Sequence, residues 1–181
     1  GALSMTVTSN ELLCATGRAD MPATMTAPLV SALPTWPLPA EDDRPDAAPE
    51  HLVVGQALGT FHTSIGADEH REYLDGARET LGFYAKDRIL HPGLILRMGN
   101  RALGKNVRLG PWIHVGSKLR NFAVAHEGDE LAARAQVTAE YEHKGHRFVE
   151  LDVLVTANDA TSLTRIHHTA IYRPRQVTQA V

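Results

Sequence analysis

Two stretches of this chain follow different hydrophobic periods, and together they leave few folds open. His91-Pro92-Gly93 opens a helix predicted to run to about Leu103. Pro92 stands at the first helical position, where a missing N–H has no intrahelical partner to lose. Leu94, Ile95, Leu96, Met98, Ala102 and Leu103 make this helix apolar around much of its girth, the pattern of a buried helix. Gly99 in its middle predicts close packing of the backbone against a sheet. From residue 112 the period is two. Leu131, Ala133, Ala135, Val137, Ala139 and Tyr141 alternate with Ala132, Arg134, Gln136, Thr138, Glu140 and Glu142, which reads as a half-buried strand. Val149, Leu151, Val153 and Val155 line one face of the next strand, and residues 163–173 form the last.

Ahead of the buried helix, residues 57–64 read as a strand and 68–80 as a helix, with Asp68 and Glu69 in its first turn and Tyr73, Leu74, Ala77 and Leu81 at helical spacing. Residues 82–90 read as a loop, and 112–125 as the first strand of an antiparallel meander closed by the turns at Gly128-Asp129, Glu142–His146 and Thr156–Ser162. The predicted class is α+β: one apolar helix wrapped by a curved antiparallel sheet, the hot-dog arrangement, with a polar outer face. Its open edges predict pairing with a second copy.

The leader differs in composition. Seven of the ten prolines fall in the first 50 of the 181 residues. The predicted division is therefore a Pro/Ala/Thr-rich leader, 1–50, and a domain, 51–181. Gly1-Ala-Leu-Ser before Met5 reads as a cloning remnant. Proline removes donors and favours extended backbone, so the leader is expected to be extended or disordered, with no helix or central strand. Leu29-Val30, Leu33 and Trp36 are the residues that would dock it as an arm. No apolar run approaches the ~18 residues of a membrane span, and no signal-peptide pattern is seen, so the cytoplasm is the expected compartment. The single Cys14 excludes an intramolecular disulfide and a cysteine zinc cluster. A net charge of −3 gives no reason to expect nucleic acid. The ten histidines show no metal-ligand spacing, and His167 and His168 face opposite ways along a strand, so neither metal nor cofactor is expected.

The run from Asp87 to Leu103, the Gly128-Asp129 turn and the strands that follow resemble the MaoC-like (R)-specific enoyl-CoA hydratases and dehydratases over about residues 53–174. The resemblance implies a hot-dog fold and acyl thioester substrates on coenzyme A or acyl carrier protein. The family's hydratases carry Asp-x-Asn-Pro-(aliphatic)-His before the central helix. Its Asp and His activate water and move the proton alpha to the thioester. Here the corresponding stretch is Glu79-Thr80-Leu81-Gly82-Phe83-Tyr84, which keeps the spacing with Glu79 for Asp and Tyr84 for His. The carrier-protein dehydratases place a Glu five residues after the helix-start Gly, and here that position is Met98.

The catalytic candidates are thus His91, at the positive end of the buried helix, Glu79 and Tyr84. Gly93, whose N–H is the first a thioester oxyanion could use after Pro92, Asp87 in the same loop and His114 on the following strand are the substrate-binding candidates. Lys118, Arg120, Lys144 and Arg147 could meet coenzyme A phosphates, although solvated cations are the simpler reading. Three functions follow in order: a hydratase/dehydratase with a substituted dyad, a hot-dog thioesterase, and a non-catalytic hot-dog subunit that binds acyl thioesters or a partner. A homodimer, or a larger oligomer of dimers, is expected for each.

Overall fold

The three long alternating runs pair in chain order. In the computed structural model, which describes residues 1–175, they are β5 (Glu130–His143), β6 (His146–Ala157) and β7 (Thr161–Arg173). β5 turns into β6 through Lys144-Gly145, both at positive φ, 52° and 77°, the two-residue turn whose twist suits an antiparallel hairpin. β3 (Ala57–Ser64) joins β5 and β4 (Ile113–Asn121) joins β7, giving the all-antiparallel order β3-β5-β6-β7-β4.

α3 (Pro92–Gly104) lies in the concave face and touches β3, β5, β6 and β7. Its buried residues Leu94, Ile95, Met98, Ala102 and Leu103 meet the inward set Leu131, Ala133, Ala135, Val137, Leu151, Val153, Val155 and Ile166. Burial of each large aliphatic side chain stabilises by roughly 1.5–3 kcal/mol, so this layer holds the domain together. Gly99 faces His168 of β7, whose ring would stand 3.2 Å from an added Cβ. On the outer face, ion pairs join neighbouring strands, Asp152 with Arg165 at 2.5 Å and Glu150 with His167 at 3.2 Å. No helix among the described residues is long and apolar enough to cross a membrane.

Three boundaries differ from the sequence expectation. α1 (Ala67–Ala77) ends three residues early, because Arg78 turns into the left-handed region at φ 53°. The loop 82–90 contains one helical turn, α2 (Phe83–Lys86). The strand expected over 112–125 ends at Asn121, where the N–H groups of Phe122 and Ala123 turn to the Leu163 carbonyl.

The leader is corrected more substantially. Residues 2–20 form a hairpin, β1 (Ala2–Ser9) and β2 (Leu12–Asp20), turning at Asn10-Glu11 with both φ positive. The first proline is Pro22, so every residue in the hairpin keeps its donor, and Leu3, Met5 and Val7 alternate with Ser4, Thr6 and Thr8 in period two.

Residues 28–47 lie against the domain. The Pro28 carbonyl accepts from Ser162 Oγ (2.8 Å) and the Val30 carbonyl from Arg134 Nη1 (2.7 Å). Leu33 is buried, whereas Leu29 and Trp36 stay largely exposed. Arg134 is an outer-face residue of β5 that the arm takes out of water. A buried guanidinium must find partners, and it finds Val30 and Asp159. Farther along, Trp36 and Thr60 exchange two bonds: Thr60 N donates to the Trp36 carbonyl (2.8 Å) and Trp36 N to Thr60 Oγ1 (3.2 Å). Beside them Gly59 admits the arm. A Cβ there would stand 2.5 Å from the Pro37 carbonyl oxygen and 2.6 Å from Leu38 Cα, both backbone atoms. Gly59→Ala should therefore push the 36–38 segment off β3 and destabilise by about 1–3 kcal/mol. The check is a lower urea midpoint with faster proteolysis between 28 and 40; an unchanged midpoint would contradict this packing.

Candidate active site

The chain between α1 and α3 is bent so that Glu79 reaches the start of α3. After the left-handed Arg78, Glu79 N donates to the Leu74 carbonyl, and Glu79 Oε1 accepts from Leu81 N at 2.7 Å. Its other oxygen, Oε2, lies 3.2 Å from His91 Nε2. His91 is the N-cap of α3, and its Nδ1 accepts from Gly93 N at 3.0 Å. The backbone N–H can only donate and the carboxylate accepts, so His91 is the tautomer with its proton on Nε2. Both ring nitrogens therefore have partners.

Two tyrosines close the group. The Tyr84 ring centre is 4.9 Å from that of His91, and the Tyr73 ring 5.3 Å. Tyr73 lies across Gly93 so tightly that a Cβ on Gly93 would overlap the tyrosine hydroxyl.

The ionisation states of the pair are opposite. The Leu81 N–H, helped by that of Thr80 and by His91, holds the Glu79 carboxyl below its usual range against the opposing effect of burial. Burial, and then the charge of Glu79, push the Tyr84 phenol up. Near neutral pH the site holds an ionised carboxylate and a protonated phenol.

A cleft of about 380 Å³ adjoins Glu79, with Leu74, Leu81 and Gly82 on its walls and His70 and Glu127 also lining it. His70 of α1 is fully buried. Its Nδ1–H donates to Glu127 Oε1 at 2.9 Å, and Arg88 Nε donates to Glu127 Oε2 at 2.9 Å. The His70 hydrogen bond, and to a lesser degree Arg88, keep Glu127 below its usual range. His70 Nε2 is buried with no partner among the described residues.

Glu79, Tyr84, His91 and Gly93 thus come together at the start of α3. The other two candidates do not join them. Asp87 is exposed at the end of α2, with no side-chain hydrogen bond among the described residues. His114 lies on β4, where it bonds Ser117 Oγ at 2.9 Å and stacks on His168 at 4.8 Å. The expected role of Gly93 also changes, because its N–H is occupied by His91 and that of Leu94 by the His91 carbonyl. Sequence reading missed Tyr73, His70 and Glu127. Tyr73 looked like one more apolar position of α1, and His70 meets a partner 57 residues away.

His168 carries a consequence for stability. Burial, reinforced by His114 and His167, lowers it to about 4. In the unfolded chain it titrates near its ordinary ~6.5. Between these values the unfolded state binds a proton that the folded state refuses, so stability falls as pH drops from about 6.5 to about 4. The slope is at most ~1.4 kcal/mol per pH unit, about 3 kcal/mol in all. Urea unfolding across this window should flatten by that amount in His168→Gln; an equal slope in both proteins would refute the assignment.

No family model matches the chain, and no curated protein matches it. Solved structures do. An (R)-hydratase from A. caviae involved in PHA biosynthesis superposes with TM-score 0.57 at 20% identity, covering 66% of this chain and 96% of its own. An unliganded R-hydratase from Pseudomonas aeruginosa gives 0.55 at 18%, covering 72% and 89%. These superpositions define the class: the chain has a hot-dog fold. The relatives in shape are (R)-hydratases, joined by a MaoC-like dehydratase from Rhodospirillum rubrum at TM-score 0.52 and 16% identity, covering 70% and 97%. The resemblance drawn from the Asp87–Leu103 run thus holds at the level of the fold.

Proposed function

We propose that this protein hydrates enoyl thioesters, or dehydrates the corresponding 3-hydroxyacyl thioesters, with Glu79 and Tyr84 in place of an Asp/His dyad. The observation that carries the reading is the Glu79 carboxylate, held ionised by the Leu81 N–H and oriented by His91 at the start of the central helix, with an open cleft on its other side between α1 and residues 79–85. In the hydration direction Glu79 takes a proton from water as the water oxygen bonds to the β carbon. The electron pair of the double bond moves to the α carbon, which takes the Tyr84 hydroxyl proton. The proton on Glu79 then returns to the Tyr84 oxygen through solvent, so one water is added and both residues are restored. His91 acts by holding Glu79 and capping α3, which makes it a positioning residue. The acyl carrier is coenzyme A or acyl carrier protein.

The test follows enoyl absorbance with crotonyl and longer enoyl thioesters, with free thiol measured in parallel. Loss of absorbance without thiol is the expected result. Thiol release alone would replace the reading by thioester hydrolysis, with Glu79 directing water at the carbonyl. Neither signal at any chain length would overturn it in favour of a non-catalytic subunit.

The reading includes a homodimer formed through β4. Among the described residues this edge strand has no neighbour on its outer side, and it exposes Ile113, Val115 and Leu119, an arrangement that pairing relieves. Sedimentation at twice the 19.7 kDa chain mass is expected; a monomer at micromolar concentration would refute it.

A further inference from the structure

The opposite end of α3 borders a second cleft, of about 660 Å³. Five cations line it, Arg44, Arg97, Arg101, Lys105 and Arg108, together with Asn100 and Trp112, and no acid does. The whole chain has 18 Lys and Arg against 21 Asp and Glu, so more than a quarter of its positive charge gathers in one depression. The last turn of α3 favours cations through its dipole, which accounts for Arg101 and Lys105. It does not account for Arg44 and Arg108, which other segments bring to the same place.

Three of the five have acidic neighbours: Arg97 with Glu69 at 2.6 Å, Arg108 with Asp46 at 2.9 Å and Arg44 with Glu41 at 3.5 Å. All three acids are substantially exposed, and such pairs are worth about 0–1 kcal/mol. Arg101 and Lys105 have no side-chain partner among the described residues. The independent observation concerns unmet hydrogen bonds. The Arg44 side chain is 13% exposed, and its Nε is buried without an acceptor. Asn100 Oδ1 is buried without a donor. The accessible ends of Arg97, Arg101, Lys105 and Arg108, converging on one depression beside Arg44, fit phosphate oxygens. Asn100 Oδ1 is an acceptor and calls for a donor such as the hydroxyl of a ribose or the amine of a base. Trp112 lines the cleft while packing on the core, and it is the aromatic group there on which a base would stack.

We propose that this cleft binds a nucleoside diphosphate, free or as the nucleotide end of a larger carrier. The cations take the phosphates, Asn100 a ribose hydroxyl or base amine, and Trp112 the base. Arg147, one of the cations considered for phosphate binding from sequence alone, is already committed to Glu140 at 2.6 Å. At 1.5 Å per residue Arg101 stands about 15 Å along α3 from His91, so a nucleotide here leaves the Glu79 cleft free for the other end of a long ligand. The proposal stands apart from the hydratase reading, because it needs no acyl group and no turnover.

Calorimetric titration of the full chain with ADP, coenzyme A and inorganic pyrophosphate tests it, at low and high salt. ADP and coenzyme A should bind saturably, more weakly as salt rises. The double variant Arg101→Glu/Lys105→Glu, changed only at the rim, should weaken both by about tenfold or more. Trp112→Ala should remove the preference for ADP over pyrophosphate. Equal affinity for ADP and coenzyme A identifies a free nucleotide as the ligand, and tighter coenzyme A identifies the carrier. Absence of saturable binding, binding indifferent to the charge reversal, or pyrophosphate binding as tightly as ADP to the wild-type protein would each overturn the proposal. Glu79→Gln should bind ADP like wild type, which keeps this result separable from the activity test.

Discussion

Glu79→Gln is expected to lower kcat for enoyl-thioester hydration by about 10²–10⁴-fold, the range for loss of a positioned acid or base. The amide is nearly isosteric but cannot take a proton. It can still accept from Leu81 N, but the same oxygen cannot also serve His91, so one hydrogen bond of about 1 kcal/mol is lost and the fold remains. The pH profile makes the assignment sharper. A base whose folded-state pKa is lowered stays ionised as pH falls until that lowered value is reached, so the acid limb of kcat/KM should lie below the ordinary carboxylate range. The raised phenol of Tyr84 stays protonated above its usual value near 10, so activity should be level through neutrality. A limb near pH 6.5 would identify an imidazole as the group that matters and remove Glu79 from the role. Retention of more than about a tenth of wild-type kcat in the variant would do the same.

Gly93→Ala should have the largest effect on stability among changes near the site. The new Cβ would overlap the Tyr73 hydroxyl and lie 3.1 Å from both Tyr73 Cζ and His91 Nδ1. Either α1 moves off α3 or the cap opens. Overpacking costs about 1–3 kcal/mol and a lost N-cap about 1 kcal/mol, so the urea midpoint should drop by the equivalent of about 2–4 kcal/mol. Tyr73→Phe removes the overlapping oxygen but leaves Cζ, so the double variant should recover part of the loss, a coupling of about 0.5–3 kcal/mol. Additive effects of the two changes would show that the tyrosine does not lie over Gly93. His91→Ala provides a comparison, because it removes the cap while leaving the space between the helices open.

The architecture was legible where burial imposes a period. α3, β5, β6 and β7 each separate a buried face from an exposed one, and residues such as Leu151 and Asp152 record that difference directly. Glu79, Tyr84, His91 and Gly93 were legible because the turn before α3 keeps a fixed spacing and all four lie within fifteen residues of chain. What stayed hidden depends on distant partners. Nothing beside His70 in the chain announces Glu127, and nothing in the alternation of β5 shows that Arg134, on its outer face, will be taken from water by Val30. Asp87 looked competent because it shares a loop with the site, but α2 turns that end of the loop to solvent. The end of α1 was misjudged at Arg78, since a left-handed conformation at a non-glycine residue leaves little local mark. The hairpin at 2–20 was obscured by a composition that describes the later half of the leader and not its first 21 residues.

The arm that crosses the sheet also fixes an order of events during synthesis. Pro28 leaves the ribosome before Ser162, to which its carbonyl bonds and which is 134 residues farther along. At about 5–20 residues per second the arm waits roughly 7–27 s for that partner, and the acceptor for Arg134 waits with it. Until β7 is made, the outer face of β5 is open and the arm is a free strand of backbone donors and acceptors. Slowing elongation between residues 134 and 162 would lengthen that window, so the yield of folded protein should respond to codon choice in β6 more than in β3.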